Sequence, residues 1–419
     1  MPVLFRAADF LDDDLARVRG LDVLVVGARV AAVGENLAAP EGAEIVDARG
    51  LLLVPGFVNA HTHSPEALAR GRAPMARLDA WLAEAWRGLD ALDEARIEAA
   101  IDACAGELIR EGCVAVLDHF RQTPLTPSAL RAVRRAWSRS GLRVALAPML
   151  RDKPTASGAA PGDPEAGVAL LDAELARDDG VRIAVAASAP DRASPAFLAA
   201  LVARARAARA PLHMHACETA EEARACRSAF GTGALAHLER IGALGPSTSL
   251  AHCVHLESDD PARLAGTGTT LVHNPVANMR LGSGIAPIRA ALDAGVPLAL
   301  GTDGAASNDS QSMHEAVKSA CLLSRVAAGG AGWVSPREAL HAAIHGGASF
   351  GLEPGRVAPG GAADFACFSL SAPALDPPHD PVAQIVLAAA RGDVVHTMAK
   401  GRFLMRDRAV SPSRGRAAA

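Results

Sequence analysis

Through the middle of the chain, short apolar runs alternate with longer alanine- and leucine-rich amphipathic stretches, a rhythm that predicts alternating strands and helices. Strands are predicted over residues 57–61, 113–118, 143–147, 182–186, 211–215, 249–252, 269–273 and 297–303. Helices are predicted over 91–111, 195–208, 220–230 and 285–294, among others. Eight strands with helical crossovers suit an α/β fold of the (β/α)8 TIM-barrel type, although a doubly wound sheet writes a similar pattern. The two ends carry a different rhythm. Val23-Leu24-Val25-Val26, a turn at Gly27-Ala28-Arg29 and Val30-Ala31-Ala32-Val33 read as a hairpin, and residues 355–368 and 393–402 read the same way. The expected organisation is therefore a barrel over 55–354 and a small β-sandwich domain built from 1–54 with 355–419.

What separates barrel from open sheet is where the polar residues fall. His61 and His63 end strand 1, His215 strand 5, His252 strand 6, His273 strand 7 and Asp303 strand 8. A closed barrel brings those carboxyl ends to one rim, whereas an open sheet spreads them along an edge, so convergence favours the barrel.

Two residues apart on an extended segment, His61 and His63 point to the same side. Alone, such a pair is weak evidence, since strand-end histidines are common and an aspartate such as Asp303 could cap a helix. Together with His215, three imidazoles and one carboxylate suit a borderline divalent ion such as Zn²⁺, with a position left for water. A metal lowers the pKa of water bound to it to roughly 7. Asp303 can take the proton that such water gives up, and Glu218, three residues after His215, can deliver one to a ring nitrogen or a departing amine. His252 is expected to orient the reacting groups. His213, one layer lower on the same strand face as His215, reads as a structural residue or a support behind the ligands. Cys217 stands next to these groups, but a cysteine nucleophile finds no oxyanion-type glycine elbow here.

Composition narrows the class further. Half of the 419 residues are apolar, 21% are charged and the formal net charge is −4, which gives no electrostatic reason to expect nucleic acid or an anionic membrane as partner. The 7 cysteines show no CxxC spacing and read as reduced thiols of a cytoplasmic protein. No stretch of 18 uncharged apolar residues suggests a membrane span, and the N-terminal residues lack the pattern of a signal peptide.

Five segments carry a resemblance: Pro55-Gly56-Phe57-Val58-Asn59-Ala60-His61-Thr62-His63, Leu212-His213-Met214-His215-Ala216-Cys217-Glu218-Thr219, Leu250-Ala251-His252-Cys253, Val272-His273-Asn274-Pro275 with Asn278, and Leu300-Gly301-Thr302-Asp303-Gly304. With them the chain resembles the amidohydrolase superfamily over nearly its whole length, in the cytosine deaminase-like branch that includes S-adenosylhomocysteine/methylthioadenosine deaminases and triazine hydrolases of the atrazine chlorohydrolase type. The resemblance implies a mononuclear Zn²⁺ or Fe²⁺ held by His61, His63, His215 and Asp303, Glu218 as proton shuttle, Asp303 also as base, and His252 orienting water or substrate. None of the three lysines (Lys153, Lys318, Lys400) lies on strand 4, where a carboxylated lysine would bridge two metals.

The implied reaction is hydrolytic release of ammonia from an aminated heterocycle of purine, pterin, pyrimidine or triazine type. Cleavage of an amide or loss of a chloride by the same metal water is the alternative, and a non-catalytic metabolite-binding barrel a remoter one. His273 and Asn278 are expected in the substrate pocket, as is Trp81, from the tryptophan-leucine pattern after strand 1. Glu66, Arg70 and Arg151 are candidates for holding ring N–H groups or an anionic tail, and Asp118-His119 after strand 2 a candidate pocket wall. A homodimer is expected.

Overall fold

The computed structural model describes residues 1–155, 158–177, 180–327 and 332–411. The last eight positions of the expected terminal domain thus lie outside the described residues. Five strands open the chain: β1 (Val3–Leu11), β2 (Arg17–Val26), β3 (Arg29–Gly34), β4 (Glu44–Asp47) and β5 (Leu51–Pro55). Ten follow: β6 (Phe57–Thr62), β7 (Cys113–Asp118), β8 (Arg143–Leu146), β9 (Met149–Leu150), β10 (Arg182–Ile183), β11 (Val185–Ala187), β12 (Leu212–Ala216), β13 (Thr248–His252), β14 (Thr270–His273) and β15 (Leu298–Leu300). Four close it: β16 (Phe365–Ser369), β17 (Val394–Ala399), β18 (Arg402–Arg406) and β19 (Ala409–Val410).

The ten middle strands pair in parallel in two groups, ordered β10-β8-β7-β6 and β15-β14-β13-β12-β11-β9. The free edges β6 and β15 lie side by side: the backbone N–H of Asp303 donates to the carbonyl of His61 at 3.0 Å, and that of Thr302 to the Asn59 side chain at 3.1 Å. Nearly every middle strand is buried on both faces, as parallel strands covered by helices must be.

Helices separate these strands, and the sequence marks where they begin. Asp93, Thr126, Asp163, Ser194 and Thr219 each accept a first-turn backbone N–H with the side chain, and proline occupies the first turn after Thr126, Asp163 and Ser194. The helices they open are Glu94–Arg110, Pro127–Ser140, Pro164–Leu175, Pro195–Ala208 and Ala220–Phe230. The expected start at residue 91 moves to Glu94 because Asp93 caps there. The expected helix 285–294 shortens to Ile288–Asp293, since Pro287 has no N–H and keeps its predecessor out of the helix.

Two expected strands also change. Residues 182–186 divide at Ala184 into β10, which pairs with β8, and β11, which bridges β9 and β12. Strand 8 stops at Leu300, before Asp303. There Gly301 passes so close to β6 that a Cβ would lie 2.4 Å from Oδ1 of Asn274 and 2.9 Å from Cβ of His61, and Asp303 turns to a φ of 62°. The ligand-bearing turn depends on that missing methyl.

Both ends of the chain join one nine-stranded sheet, ordered β19-β18-β17-β16-β5-β1-β2-β3, with β4 beside β1. The antiparallel pairing of β5 with β16, Val54 opposite Ala366, links them. Phe5, Phe10, Val23, Leu53, Phe365 and Met398 form its own apolar cluster. The hydroxyl of Thr397 donates to the carbonyl of Ile109 at 2.7 Å, one tie between this sheet and the middle of the chain.

Candidate metal centre and active site

Two imidazoles face each other across the ends of β6 and β12. Nδ1 of His63 lies 2.6 Å from the carbonyl oxygen of His119, and Nδ1 of His215 lies 2.5 Å from that of Ser188. A carbonyl only accepts, so both Nδ1 atoms carry protons and each ring, when neutral, presents a bare lone pair at Nε2. Those two Nε2 atoms are 3.1 Å apart. Charging His215 would relieve the clash of lone pairs, but burial and then the neighbouring imidazoles hold its pKa well below the usual histidine range. With both rings neutral the two lone pairs are aimed at each other, an arrangement that a cation held between them satisfies.

Asp303 completes the cluster. Its Oδ1 lies 3.2 Å from Nε2 of His61 and 3.3 Å from Nε2 of His63. Both Nε2 of His61 and Oδ1 of Asp303 are buried without a hydrogen-bond partner. A tetrahedron with bonds of about 2.0–2.1 Å has edges of about 3.3–3.4 Å, close to these separations, so the donor set fits a zinc-sized ion. Burial pushes the Asp303 carboxyl up, but its contact with His61 and the neighbouring imidazoles of His63 and His252 outweigh this and hold it well below the usual range. His61 is lowered to about 4, chiefly by burial.

The turn that presents Asp303 is fixed from below. Its carbonyl accepts from the Thr62 hydroxyl at 2.9 Å and from Nε2 of Gln311 at 3.0 Å, while Nδ2 of Asn59 donates to the Thr302 hydroxyl at 2.7 Å. On the other side, Asp118 at the end of β7 accepts from the Ser64 N–H and hydroxyl and from Nε1 of Trp137, which secures the chain just beyond His63.

Glu218 and His252 stand beside these ligands, with Oε1 of Glu218 3.8 Å from Nδ1 of His252. Burial raises the Glu218 pKa, as does the Asp303 charge, against the lowering by His252 and Arg192. Glu222 accepts the backbone N–H groups of Cys217 and Glu218, each at 3.0 Å, and so fixes the turn on which Glu218 leaves β12. Nδ1 of His252 lies 2.7 Å from Oδ1 of Asn278, and the residue sits at a φ of 76°. Asn278, expected to touch substrate, is thus the partner of His252, with its Nδ2 still unpaired. His273 is buried, its pKa lowered to about 3 by burial and then by His252, and its Nδ1 has no partner.

Two further imidazoles lie among the ligands. The His119 ring is 4.8 Å from that of His215 and 5.3 Å from that of His63, with both nitrogens unpaired. The donor atoms of His61, His63, His119 and His215 lie within 4.8 Å of one another, as do those of His61, His215, His252 and Asp303, so His119 and His252 both border the place a cation would take. Nε2 of His213 approaches Nδ1 of His61 to 2.8 Å.

The expected substrate-side residues are placed less uniformly. Glu66 is buried, accepts from Nε1 of Trp86 at 3.2 Å, and is raised to about 7 chiefly by burial, with the Asp303 charge adding to the rise and His63 opposing it. Its Oε2 stands where a Cβ on Gly304 would sit at 1.8 Å, so it packs directly on the Asp303 turn. Trp81 is buried in an apolar cluster with Leu78, Leu82, Trp86 and Met149, its Nε1 donating to the carbonyl of Ala306 at 3.3 Å. Arg70 departs from expectation: its half-exposed guanidinium pairs with Glu107 on the helix Glu94–Arg110. Arg151 also departs, because its guanidinium donates to the carbonyls of Lys153, Ala159 and Ala160 and holds the loop after β9.

Sequence reasoning passed over Glu222, Asn59 and Gln311, read Asp118 with His119 only as a pocket wall, and weighed His213 mainly as structural. Asp118 had a readable signal, an acidic residue ending an apolar strand. The carbonyls of His119 and Ser188 had none, since every residue carries one.

Three comparisons bear on this geometry. The amidohydrolase family matches residues 52–404. A 5-methylthioadenosine/S-adenosylhomocysteine deaminase of Halobacterium salinarum is 36% identical over 400 residues, covering 93% of this chain and 90% of that protein. Among solved structures, a zinc-bound adenosine deaminase from Xanthomonas campestris superposes with a TM-score of 0.85 at 25% identity, covering 98% of this chain and 94% of that one. Atrazine chlorohydrolase from Arthrobacter aurescens TC1, complexed with zinc, shares the fold at a TM-score of 0.88 and 24% identity, covering 97% and 96%. With the ligand-type residues gathered at the strand ends and the match running over most of its length, the chain belongs to the amidohydrolase family.

Proposed function

We propose that this protein is a metal-dependent hydrolytic deaminase, which replaces the amino group of a heterocyclic amidine carbon with oxygen and releases ammonia. A 6-aminopurine of the adenosine type is the first substrate class to test, on the strength of the relatives' names. The observation that carries the reading is the pair of Nε2 lone pairs 3.1 Å apart, beside a buried carboxylate oxygen with no hydrogen-bond partner.

His61, His63, His215 and Asp303 would hold one divalent ion, zinc before iron, and the ion supplies the Lewis acidity that makes water a nucleophile near neutral pH. Asp303 takes a proton from the attacking water. Glu218, kept protonated to higher pH by its burial, donates to the ring nitrogen as the C–O bond forms and the C=N electron pair moves onto that nitrogen. His252, held at Nδ1 by Asn278, turns its Nε2 toward the water oxygen. The proton on Asp303 then passes to the amino group, the C–N bond breaks as the remaining hydroxyl proton of the adduct returns to the Glu218 carboxylate, and ammonia leaves a ring lactam. Glu66, packed on the Asp303 turn, would meet a substrate N–H, and His273 and Trp81 would contribute to the pocket walls.

Zinc-loaded protein should release ammonia from at least one of an adenosine derivative, an aminopterin, a cytosine-type pyrimidine or an aminotriazine, with kcat/KM of at least about 10⁴ M⁻¹s⁻¹. No turnover on any of them with the metal bound would overturn the assignment.

The same reading closes the two parallel strand groups into one eight-stranded barrel over 55–354 and folds the terminal sheet of 1–54 with 355–419 as a sandwich at its side. The contact of β15 with β6 supports closure. A cytoplasmic homodimer is the proposed state. The seven buried, unbonded cysteines support the compartment, and light scattering would check the assembly. Among the described residues no helix is long and apolar enough to cross a membrane.

A further inference from the structure

Of the three imidazoles proposed as ligands, His63 and His215 have their ring protons fixed by backbone carbonyls, an arrangement that substitution hardly alters. His61 differs. Its Nδ1 faces a side chain, Nε2 of His213, at 2.8 Å, and Nδ1 of His213 in turn lies 2.7 Å from the hydroxyl of Ser249. Ser249 stands directly opposite His213 in the pairing of β12 with β13, and all three residues are fully buried. The row Ser249, His213, His61 therefore crosses three strands and ends at a bare Nε2.

Its chemistry allows two directions. In one, the Nδ1–H of His61 donates to Nε2 of His213, whose own Nδ1–H donates to the Ser249 oxygen, and Nε2 of His61 keeps its lone pair. In the other, His213 donates to His61, which places the remaining proton of His61 on Nε2, facing Asp303 at 3.2 Å and closing that position to a cation. Only the first direction makes His61 a ligand.

We propose that His213 is a positioning residue for His61, its Nε2 accepting the Nδ1 proton so that the tautomer and ring plane of His61 suit a divalent ion. This rests on the cation-binding part of the proposed function and is independent of whether the protein deaminates anything. A neutral imidazole partner makes a ligand more basic and restrains its rotation, and loss of such a partner commonly weakens metal binding about 10–100-fold.

The test is equilibrium titration with Zn²⁺ in a competing chelator, together with the visible spectrum of the Co²⁺-loaded protein, on full-length wild type, H213L, H213Q and S249A. Leucine fills the space without an acceptor, whereas glutamine can place its amide oxygen near the position of Nε2. The expected result is an affinity about 10–100-fold weaker for H213L with an altered Co²⁺ spectrum, and recovery in H213Q to within about threefold of wild type. Wild-type affinity in H213L overturns the proposal, as does an equal loss in H213L and H213Q when both melt like the metal-free wild type, because His213 would then be filler. If H213L does not fold, S249A decides: a several-fold weaker site supports the row and an unchanged one overturns it. A wild type that binds Zn²⁺ with this dependence but releases no ammonia would sink the deaminase reading alone.

Discussion

The centre and the rim of the site satisfy their polar groups in opposite ways. At the centre, His63 and His215 spend their outward nitrogens on backbone carbonyls and His61 spends its on His213, which leaves Nε2 of His61 and Oδ1 of Asp303 without a partner and turns Nε2 of His63 and of His215 toward each other. At the rim, Arg70 and Arg151 are matched within the protein, by Glu107 and by three loop carbonyls. Unmatched buried groups mark where something else must bind, because leaving them bare costs free energy. Matched groups, however charged, mark scaffold.

The strongest way to break that contrast is to remove one inward donor. His215→Ala should lose the bound cation, read by metal analysis after dialysis, and lower ammonia release on the order of 10⁴-fold, because the Lewis acid goes with it. A variant that kept both would mean that His119, whose ring lies 4.8 Å from that of His215, takes over as ligand, and the assignment of the centre would need redrawing.

Glu218→Gln separates holding the ion from moving protons. The amide keeps the size and loses the acid, so turnover should fall about 10²–10³-fold while metal content stays at the wild-type level. Equal turnover would remove Glu218 from the mechanism.

Glu66 tests the boundary between the two regions, since it is buried like the centre and bound to protein groups like the rim. Its pKa, raised to about 7 from 4.5, means the folded protein favours the protonated carboxyl. The contribution is favourable below pH 4.5, shrinks as pH rises, and is lost above about 7, a swing of about 3 kcal/mol at most. Metal-free protein should therefore lose stability to urea between pH 5 and 8 more steeply than metal-free Glu66→Gln. Parallel slopes would show that Glu66 is not desolvated.

How much of this was legible follows the same division. Period-two spacing put His61 and His63 on one face, apolar runs located the strands, and polar residues at strand ends named His215, His252 and Asp303. Strand geometry transmits such patterns faithfully, because each side chain's direction follows from its position. Loops transmit no such rule. Nothing near Arg70 foretold a partner 37 residues later, and nothing near Asn278 foretold that His252 would claim its oxygen. The pairing of His213 with His61 joins β12 to β6 across 152 residues, which spacing along either strand cannot disclose.

The smallest expected effect sharpens the contrast from the rim side. Arg70→Met keeps the aliphatic stem and removes a charge whose partner, Glu107, lies on the outer helix. Half-exposed pairs of this kind contribute about 0–1 kcal/mol, so stability should change by no more than that. Activity should move less than about twofold in kcat/KM, since the guanidinium already has its counter-ion and has no reason to turn inward. A tenfold rise in KM confined to substrates with an anionic substituent would show the opposite: that Arg70 leaves Glu107 when substrate arrives, and that a matched charge at the rim is a latch and not a scaffold.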